Sequence, residues 1–590
     1  MATIMWLLLW VASFCGPTKT QYTSRYFRPQ ANDDIPHVPK NANCDSGAQG
    51  ECSDQVHISL GGPDQMVVTF VSKDASTSAV VYYGLDEGLQ SVARGRSKSH
   101  SQLLYYHGML TKPNMGQPTL TGEELRAQQD RPVPYYGPGK TWVPTDLYDS
   151  PVIHQVTLSD LKPGAKYHYR VQGDRRVFAF TMPPVRKWPF TVGLTADIGQ
   201  TDVSNLSTQA LVDMTPDVVL LAGDLSYADG YHHRWDSFGR MIERLGATVP
   251  IMTCGGNHEI ASGEAWVPYN LRWPMPSDAS GSTDSLYWSR NIGPMHVITL
   301  NSYAGSQRGS LQHDWLLKNL QTIDRSQTPW VVVMMHCPWY NSNTGHQGEG
   351  NVMKANLEAM LYNAGVDIVL DGHVHAYERT FPVYLDKRDP CGPTYLNLGD
   401  GGNREGAYTP WLEQPLWSAF REASFGVAKL VIHNQTHSHF KWDRHSCEAD
   451  KPGNMDLGSS SCKTPSDNSP TAFKTSDETW IIRPPECKNR HVTGSGYTWS
   501  ERVTVRSQGP RTWVPGPQGS GAPPGDAMWK VVAGGLAVLS ALLIGAVMLL
   551  LHRLRRMQRM GKWVPSGTED GDSQFTNPEA FPEAELHEVS

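Results

Sequence analysis

The stretch PFTVGLTADIGQTDVSNLSTQALVDMTPDVVLLAGDLSYAD, residues 189 to 229, holds two apolar runs separated by a more polar segment. Short uncharged apolar runs predict buried strands, and the segment SNLSTQALVDM (204–214) predicts a helix between them. A strand, a helix and a strand in close succession indicate a βαβ unit of an α/β fold. Asp197 and Asp224 come directly after the two runs, at the strand ends where such folds gather their functional residues.

The same alternation continues along the chain, which predicts further βαβ units around sheets. The segments SFGRMIERLG (237–246), LQHDWLLKNLQTI (311–323) and NLEAMLYNAG (356–365) predict helices. Apolar runs such as WVVVMM (330–335) and VDIVL (366–370) predict the strands between them. We place this domain at residues 187–487.

Residues 55–184 have a different pattern, in which short runs with alternating polarity are separated by turn residues. Six such runs, from QVHISL at 55 to VFAFTM at 177–182, predict a small β-sandwich. The stretch DLKPGAKYHYRV (160–171) resembles part of fibronectin type III-like sandwiches. Residues 97–150, rich in Pro, Gly and Tyr, are interpreted as an insertion in this domain, to which we assign a structural role.

The two ends of the chain indicate a membrane topology. Residues 1–20 are typical of a secretory signal peptide, and 21–54 form an N-terminal extension. A Pro/Gly-rich stalk (488–528) precedes a charge-free apolar segment (531–551) that is long enough for a transmembrane helix. The tail at 552–590 follows this segment and begins with several arginines. The sequence thus predicts a type I single-pass membrane protein, with a cytoplasmic tail and a catalytic domain that is extracellular or in the lumen of a secretory or vacuolar compartment.

Charge and cysteine content restrict the class of protein further. Asp and Glu number 58 against 51 Lys and Arg, and the last 28 residues account for the excess. A balanced charge elsewhere gives no indication of nucleic-acid binding. Nine cysteines and two glycosylation sequons, at Asn205 and Asn434, suit an exported protein. Bridges are expected among cysteines in the Gly/Ser/Pro-rich segments: Cys44, Cys52, Cys391, Cys447, Cys462 and Cys487. Cys254 and Cys337 end apolar runs and are predicted to be buried thiols.

Side chains that can bind metals follow five predicted strands. They are Asp197, Asp224, Tyr227, Asn257, His336, His373 and His375. Seven such ligands exceed the needs of a single four-coordinate zinc and suit two ions that share a carboxylate. A phenol titrates near pH 10 and binds metals well only as the phenolate, which a trivalent ion stabilises best. The composition of the set therefore predicts one Fe(III) and one divalent ion, which can be Zn, Fe or Mn.

The motifs ADIG, GDLSY, GNHE, VMMH and GHVH resemble the five signature blocks of the purple acid phosphatases, which are calcineurin-like metallophosphoesterases. GDGGNREGAY (399–408) and SAFREASFG (418–426) resemble further stretches of the plant-type, high-molecular-weight branch. The resemblance covers residues 55 to 487. It implies a fibronectin type III-like sandwich followed by a βαβαβ-type two-sheet metallophosphoesterase domain, to which this chain adds a C-terminal transmembrane helix.

The resemblance also assigns roles to residues. It implies that Fe(III) is bound by Asp197, Tyr227, His375 and a bridging Asp224, and the divalent ion by Asp224, Asn257, His336 and His373. His258 and His346 match substrate-contacting histidines. Asp229 is expected to orient His258, and Glu349 is a further match near the metals. The implied activity is hydrolysis of phosphate monoesters at acidic pH, where an imidazolium of His258 or His346 stabilises the transferred phosphoryl group or protonates the leaving group.

This sequence departs from the family pattern at two points near the site. Ala196 replaces a glycine of the first block, and Gly345 stands where plant relatives often have another histidine. Two alternatives to a phosphomonoesterase remain open at this stage. One is a phosphodiesterase or nucleotide pyrophosphatase that uses the same metals, and the other is a cell-surface receptor or adhesion protein with an inert phosphatase domain. Homodimerisation, frequent among relatives, is also left open by the sequence.

Overall fold

The computed structural model describes residues 21–27, 34, 53–73, 76–103, 147–261, 264–282, 284–445, 473–484 and 487. All of them belong to one compact unit, Met1–Trp499. The predicted signal peptide, stalk, transmembrane segment and tail lie outside the described residues. Within the ranges given above, no helix is both long and apolar enough to cross a membrane.

The described residues of the N-terminal part contain strands as their regular elements. They are β1 (Tyr22–Phe27), β2 (Ser53–Leu60), β3 (Met66–Ser72), β4 (Val80–Gly84), β5 (Ser91–Arg94), β6 (Arg96–Lys98), β7 (Ser101–Leu103), β8 (Leu147–Asp149), β9 (Val152–Leu158), β10 (Lys166–Val171) and β11 (Phe178–Thr181). Two four-stranded sheets, in the orders β2-β3-β9-β6 and β11-β10-β4-β5, bury their apolar faces in a common core. All six predicted strand runs are confirmed.

The remaining described strands build two larger sheets and a separate two-stranded sheet. They are β12 (Phe190–Thr195), β13 (Val218–Leu221), β14 (Ile251–Thr253), β15 (Trp288–Ile292), β16 (Met295–Thr299), β17 (Trp330–Met334), β18 (Ile368–Asp371), β19 (Tyr377–Thr380), β20 (Val383–Tyr384), β21 (Lys387–Arg388), β22 (Thr394–Leu398), β23 (Ser418–Ala423), β24 (Gly426–Ile432), β25 (His437–His445) and β26 (Phe473–Ile482). One large sheet has the order β14-β13-β12-β24-β25-β26 and the other β1-β23-β19-β22-β18-β17-β16-β15, while β20 and β21 form the two-stranded sheet. The parallel strands β12, β13 and β14 of the first sheet and β16, β17, β18 and β22 of the second confirm the α/β class.

In the described part of the chain, five α-helices join these strands: α1 (Asp202–Met214), α2 (His233–Gly246), α3 (Val267–Arg272), α4 (Leu311–Leu320) and α5 (Asn351–Asn363). The first shows how local sequence fixes the start of a helix. The Thr201 side chain accepts a hydrogen bond from the backbone N–H of Ser204, while the Ser204 hydroxyl accepts one from the N–H of Thr201. This reciprocal capping satisfies two otherwise unpaired N–H groups and fixes the end of the loop that carries Asp197.

The N-terminal extension provides a structural element that the sequence did not predict. Strand β1 pairs in parallel with β23 at the edge of the eight-stranded sheet, with Tyr22 opposite Phe420. Further along, Asp34 forms an isolated antiparallel bridge with Thr201, at the start of α1. Of residues 21–54, β1 thus belongs to a sheet of the catalytic part and Asp34 is bridged to the start of α1, although the domain boundaries themselves stay predictions.

The sandwich packs against α2 through polar contacts at its first strand. Asp54 forms an ion pair with Arg240 (Oδ2 to Nε, 2.8 Å), and the backbone N–H of Val56 donates to Glu243 (2.9 Å). The Tyr169 hydroxyl donates to the carbonyl of Ala247 at the end of α2 (2.7 Å). These contacts join the two parts of the chain into one unit.

The described cysteines agree with their predicted classes. Cys391 and Cys487 form a disulfide across a sequence separation of 96 residues. Cys254 and Cys337 are free and buried, as their positions after apolar runs predicted. The other four cysteines expected in bridges lie outside the described residues.

Candidate metal centre and active site

The seven predicted metal ligands meet between the C-terminal ends of strands from both large sheets. Asp197, Asp224 and Asn257 follow β12, β13 and β14 of the six-stranded sheet. His336 follows β17, and His373 and His375 follow β18, in the eight-stranded sheet. Tyr227 lies on the same loop as Asp224. Six of the seven are buried and Asn257 is half-buried, so the site lies at the base of an opening between the sheets.

Several of these residues adopt an unusual backbone conformation. Asp197, Asp224, Tyr227 and His373 have φ between 51° and 68°. Non-glycine residues occupy this left-handed region at an energetic cost, and they remain there only when the surrounding structure fixes them. The ligands are therefore held at tight turns directly after the strands.

A first cluster of ligand atoms surrounds the Tyr227 hydroxyl. The Tyr227 Oη lies 3.0 Å from Asp197 Oδ1 and 2.9 Å from His375 Nε2. His375 Nε2 is 3.4 Å from the same Asp197 oxygen. Burial raises the pKa of the Tyr227 phenol well above its usual value, so only a strongly charged cation would make it a phenolate.

A second cluster lies beside the first and is centred on His336. Its Nε2 is 3.0 Å from Asp224 Oδ2 and 3.1 Å from the side-chain oxygen of Asn257. Asp224, His336 and His373 each present a ligand atom within 4.8 Å of the others. His336 Nε2 lies 4.0 Å from Asp197 Oδ1, so the two clusters are adjacent.

The donor atoms fit two cations. Ligands about 2.1 Å from one ion and at right angles to each other lie about 3.0 Å apart, which is the spacing found within each cluster. Asp224 Oδ2 is buried, and it has no hydrogen bond of good geometry within the described part of the chain, although Nε2 of His336 lies 3.0 Å away. A buried carboxylate oxygen without a donor is costly unless it binds a cation. Burial disfavours a charged imidazole, yet Asp224 and Asp197 raise the pKa of His336 to about 9, so the cluster attracts positive charge.

The imidazoles are oriented by hydrogen bonds on their other nitrogen. His336 Nδ1 donates to the carbonyl of Ala222 (2.8 Å) and His373 Nε2 donates to Glu349 (2.7 Å). Each bond fixes the tautomer and leaves the opposite nitrogen free to bind a metal. Glu349 therefore lies where the resemblance implied a supporting residue.

The predicted catalytic residues lie around the opening. His258 Nδ1 is hydrogen-bonded to Asp229, and its Nε2 is 3.8 Å from Asp224 Oδ2. His346 Nδ1 is hydrogen-bonded to Glu349 (2.8 Å), and its ring centre lies 3.8 Å from that of His373. Burial opposes a charged His258, but the carboxylates of Asp229, Asp224 and Glu405 together outweigh it and raise the pKa of His258 well above its usual value.

Other residues at the site were not predicted from the sequence. Glu259 accepts hydrogen bonds from the N–H groups of Asp224, Leu225 and Gly256, and so holds two strand-end loops together. Glu259 is the last residue of the motif GNHE. An acidic residue so close to a predicted buried strand was the signal that could have identified it. Arg404, from the motif GDGGNREGAY, is hydrogen-bonded to the carboxylate of Asp229.

Gly345, a departure from the family pattern, has a physical explanation in the structure. A Cβ atom at this position would lie 2.8 Å from the ring of Tyr408. Tyr408 in turn stacks on His375, with ring centres 4.5 Å apart. The tyrosine therefore occupies the space that a larger side chain at position 345 would need.

Comparisons with known proteins agree with this geometry. The family models that match are the purple acid phosphatase N-terminal domain (residues 53–182), the calcineurin-like phosphoesterase (190–377) and the iron/zinc purple acid phosphatase-like C-terminal domain (392–450). A probable purple acid phosphatase 20 of Arabidopsis thaliana is 39% identical over 402 residues, which cover 66% of this chain and 84% of the relative. Purple acid phosphatase 18 of the same plant is 38% identical over 409 residues, covering 68% and 83%.

Among solved structures, a purple acid phosphatase from seeds of yellow lupin (Lupinus luteus) aligns with a TM-score of 0.55 and 21% identity. The alignment covers 74% of this chain and 75% of that one. The chain belongs to the purple acid phosphatase family. It is a phosphatase of the binuclear-metal, acid type that acts on phosphate esters.

Proposed function

We propose that the chain hydrolyses phosphate monoesters at a centre formed by one Fe(III) and one divalent ion. The observation that carries the proposal is the pair of adjacent ligand clusters, in which His336 Nε2 of one lies 4.0 Å from Asp197 Oδ1 of the other. Asp197, Tyr227 and His375 would hold the ferric ion and Asn257, His336 and His373 the divalent one, with Asp224 between them. A visible charge-transfer band from tyrosinate bound to Fe(III), together with metal quantification, tests this assignment.

When bound, the two ions would activate a water nucleophile and neutralise charge on the phosphoryl group. The chain supplies the remaining groups. His258, fixed by Asp229, presents its Nε2 beside Asp224, where it can donate a hydrogen bond to a phosphoryl oxygen or a proton to the leaving oxygen. His346, fixed by Glu349, is a second donor on the other side of the opening. Two imidazole donors match the several terminal oxygens of a monoester better than the fewer ones of a diester.

The relative rates on a panel of substrates test the proposed specificity. We expect p-nitrophenyl phosphate to be hydrolysed faster than bis-p-nitrophenyl phosphate. The reason is that a monoester offers an additional terminal oxygen to the imidazoles of His258 and His346. The measurement is kcat/KM for each substrate with the same metal-loaded preparation. Faster turnover of the diester would instead identify a phosphodiesterase.

We further propose that the catalytic part is extracellular or lumenal, held by a single span at 531–551 after removal of a signal peptide at 1–20. The Cys391–Cys487 disulfide suits an oxidising compartment. The sequon at Asn434 lies exposed in the turn between β24 and β25, where the Asn434 side-chain oxygen accepts hydrogen bonds from the N–H and hydroxyl of Thr436. Asn205, in contrast, lies within α1, and Arg244 donates to its side-chain oxygen (2.7 Å).

Glycosidase treatment of the full chain tests this topology. We expect a mass shift that is lost in Asn434→Gln and retained in Asn205→Gln, because the turn leaves Asn434 exposed, whereas Asn205 is half-buried within α1 and held by Arg244. In sealed microsomes the catalytic part should be protected from added protease. Digestion of the catalytic part in intact microsomes would contradict the proposed orientation.

A further inference from the structure

We infer that Asp34, in the N-terminal extension, is a positioning residue of the active site, which acts through Arg234 and Arg404 on the loop that carries Tyr227 and Asp229. The inference rests on the proposed roles of Tyr227 and Asp229. It gives the extension a part in catalysis that neither the motifs nor the family models, which begin at residue 53, assign to it.

The first step is the position of Asp34 itself. Its backbone bridges to Thr201, the residue that caps α1, and only 3% of its surface is exposed. Its carboxylate oxygen Oδ2 lies 3.0 Å from Arg234 Nε and 3.2 Å from Arg404 Nη1. The contact with Arg404 is a charge-assisted hydrogen bond and the contact with Arg234 is an ion pair, so two guanidinium groups share one buried carboxylate. Asp34 therefore joins α2, which carries Arg234, to the loop after β22, which carries Arg404.

The two arginines in turn bind three consecutive residues of the active-site loop. Arg404 donates to the carbonyl of Tyr227 (2.5 Å) and to the carboxylate of Asp229. Arg234 donates to the carbonyl of Ala228 (3.3 Å). The three contacted residues run from Tyr227, a predicted metal ligand, to Asp229, whose carboxylate orients His258.

The conformation of this loop requires such support. Tyr227 and Asp229 both have φ of 51°, in the left-handed region that disfavours residues with a side chain. A loop in this conformation persists only when contacts outside it fix its carbonyl groups. Tyr227, Asp229 and through it His258 therefore depend on the two arginines for their positions.

Charge balance explains why the arginines need Asp34. Two buried guanidinium groups and the carboxylates of Asp34 and Asp229 form a neutral group of four. Without the charge of Asp34, the two arginines would depend more on Asp229, with Glu405 as the other acidic group near Arg404, and they would compete with His258 for the oxygens of Asp229. The loop would then shift, because Asp229 cannot satisfy both arginines and His258 in the present geometry.

The test is Asp34→Asn in the full chain, which keeps the shape of the side chain and removes its charge. We expect kcat per metal-loaded enzyme to fall about tenfold, with KM changed less than about twofold, since misplaced catalytic groups reduce transition-state stabilisation. Asp54→Asn is the matched control, because Asp54 is also a buried N-terminal carboxylate paired with an arginine of α2. The control should lower the melting temperature and leave kcat unchanged.

A double-mutant cycle with Asp229→Asn separates positioning from a merely structural role. If Asp34 acts through Asp229, adding Asp34→Asn to Asp229→Asn should cost much less than tenfold. Multiplicative losses, or a kcat within twofold of wild type in Asp34→Asn, would overturn the inference. If Asp34→Asn does not fold, Asp34→Glu replaces it as the test, because the longer side chain displaces the carboxylate by one methylene. A wild-type kcat in Asp34→Glu would also overturn the inference. Full activity of Asp229→Asn itself would instead refute the proposed role of Asp229.

Discussion

Asp224→Asn is expected to lower kcat/KM for p-nitrophenyl phosphate by more than about 10³-fold and to reduce the metal content of the protein. Asp224 Oδ2 lies 3.0 Å from His336 Nε2 in one cluster, and Oδ1 accepts the backbone N–H of His258. An amide has a single oxygen and no charge, so it cannot serve two cations while keeping that hydrogen bond. Phosphate release, metal quantification and the visible spectrum of the purified variant measure the effect.

Asp213→Asn is a suitable control, since Asp213 is exposed near the end of α1 and contacts Gln209. This variant should keep its metals, its colour and its rate. If Asp224→Asn releases phosphate at the wild-type rate, the hydrolysis does not use the proposed centre. That result would contradict the proposed metal assignment. It would instead favour the alternative of a receptor or adhesion protein with an inert phosphatase domain.

The fold could be predicted from the sequence because its signals are local. Buried strands such as β13 and β17 are continuous apolar runs, and α1 has a capping residue at its start. Ligand candidates were found for the same reason, since Asp197, Asp224 and His336 follow apolar runs directly. In a parallel sheet the carboxyl ends of the strands meet at one edge. Residues that directly follow the strands in the sequence are therefore predicted to lie close together in space.

The contacts that support these ligands could not be predicted, because they join distant parts of the chain. Asp34 and Arg404 are separated by 370 residues, and no local pattern indicates their pairing. The pairing of β1 with β23 could not be predicted for the same reason, because it depends on an open sheet edge that exists only in the folded protein. Glu259 is an intermediate case, for its motif was visible but its three backbone partners lie on two different loops.

His258→Asn is expected to lower kcat by about 10² to 10³-fold while metal content stays unchanged. Only the side chain of His258 reaches towards the substrate, whereas its contact with Asp224 Oδ1 is made by the backbone N–H (2.9 Å) and survives the substitution. The side chain of the variant cannot carry a proton to the leaving group. Single-turnover and steady-state rates on p-nitrophenyl phosphate, with metal quantification on the same sample, measure the effect.

His346→Asn is the matched comparison, because both histidines are anchored by a carboxylate at Nδ1. The ring of His346 lies against that of His373, while His258 Nε2 lies 3.8 Å from Asp224 Oδ2, the proposed bridging ligand. We therefore expect a smaller loss of kcat, about tenfold, and a larger rise in KM for His346→Asn. A larger loss of kcat in His346→Asn than in His258→Asn would instead identify His346 as the proton donor. The reason is that removal of the proton donor slows the chemical step most.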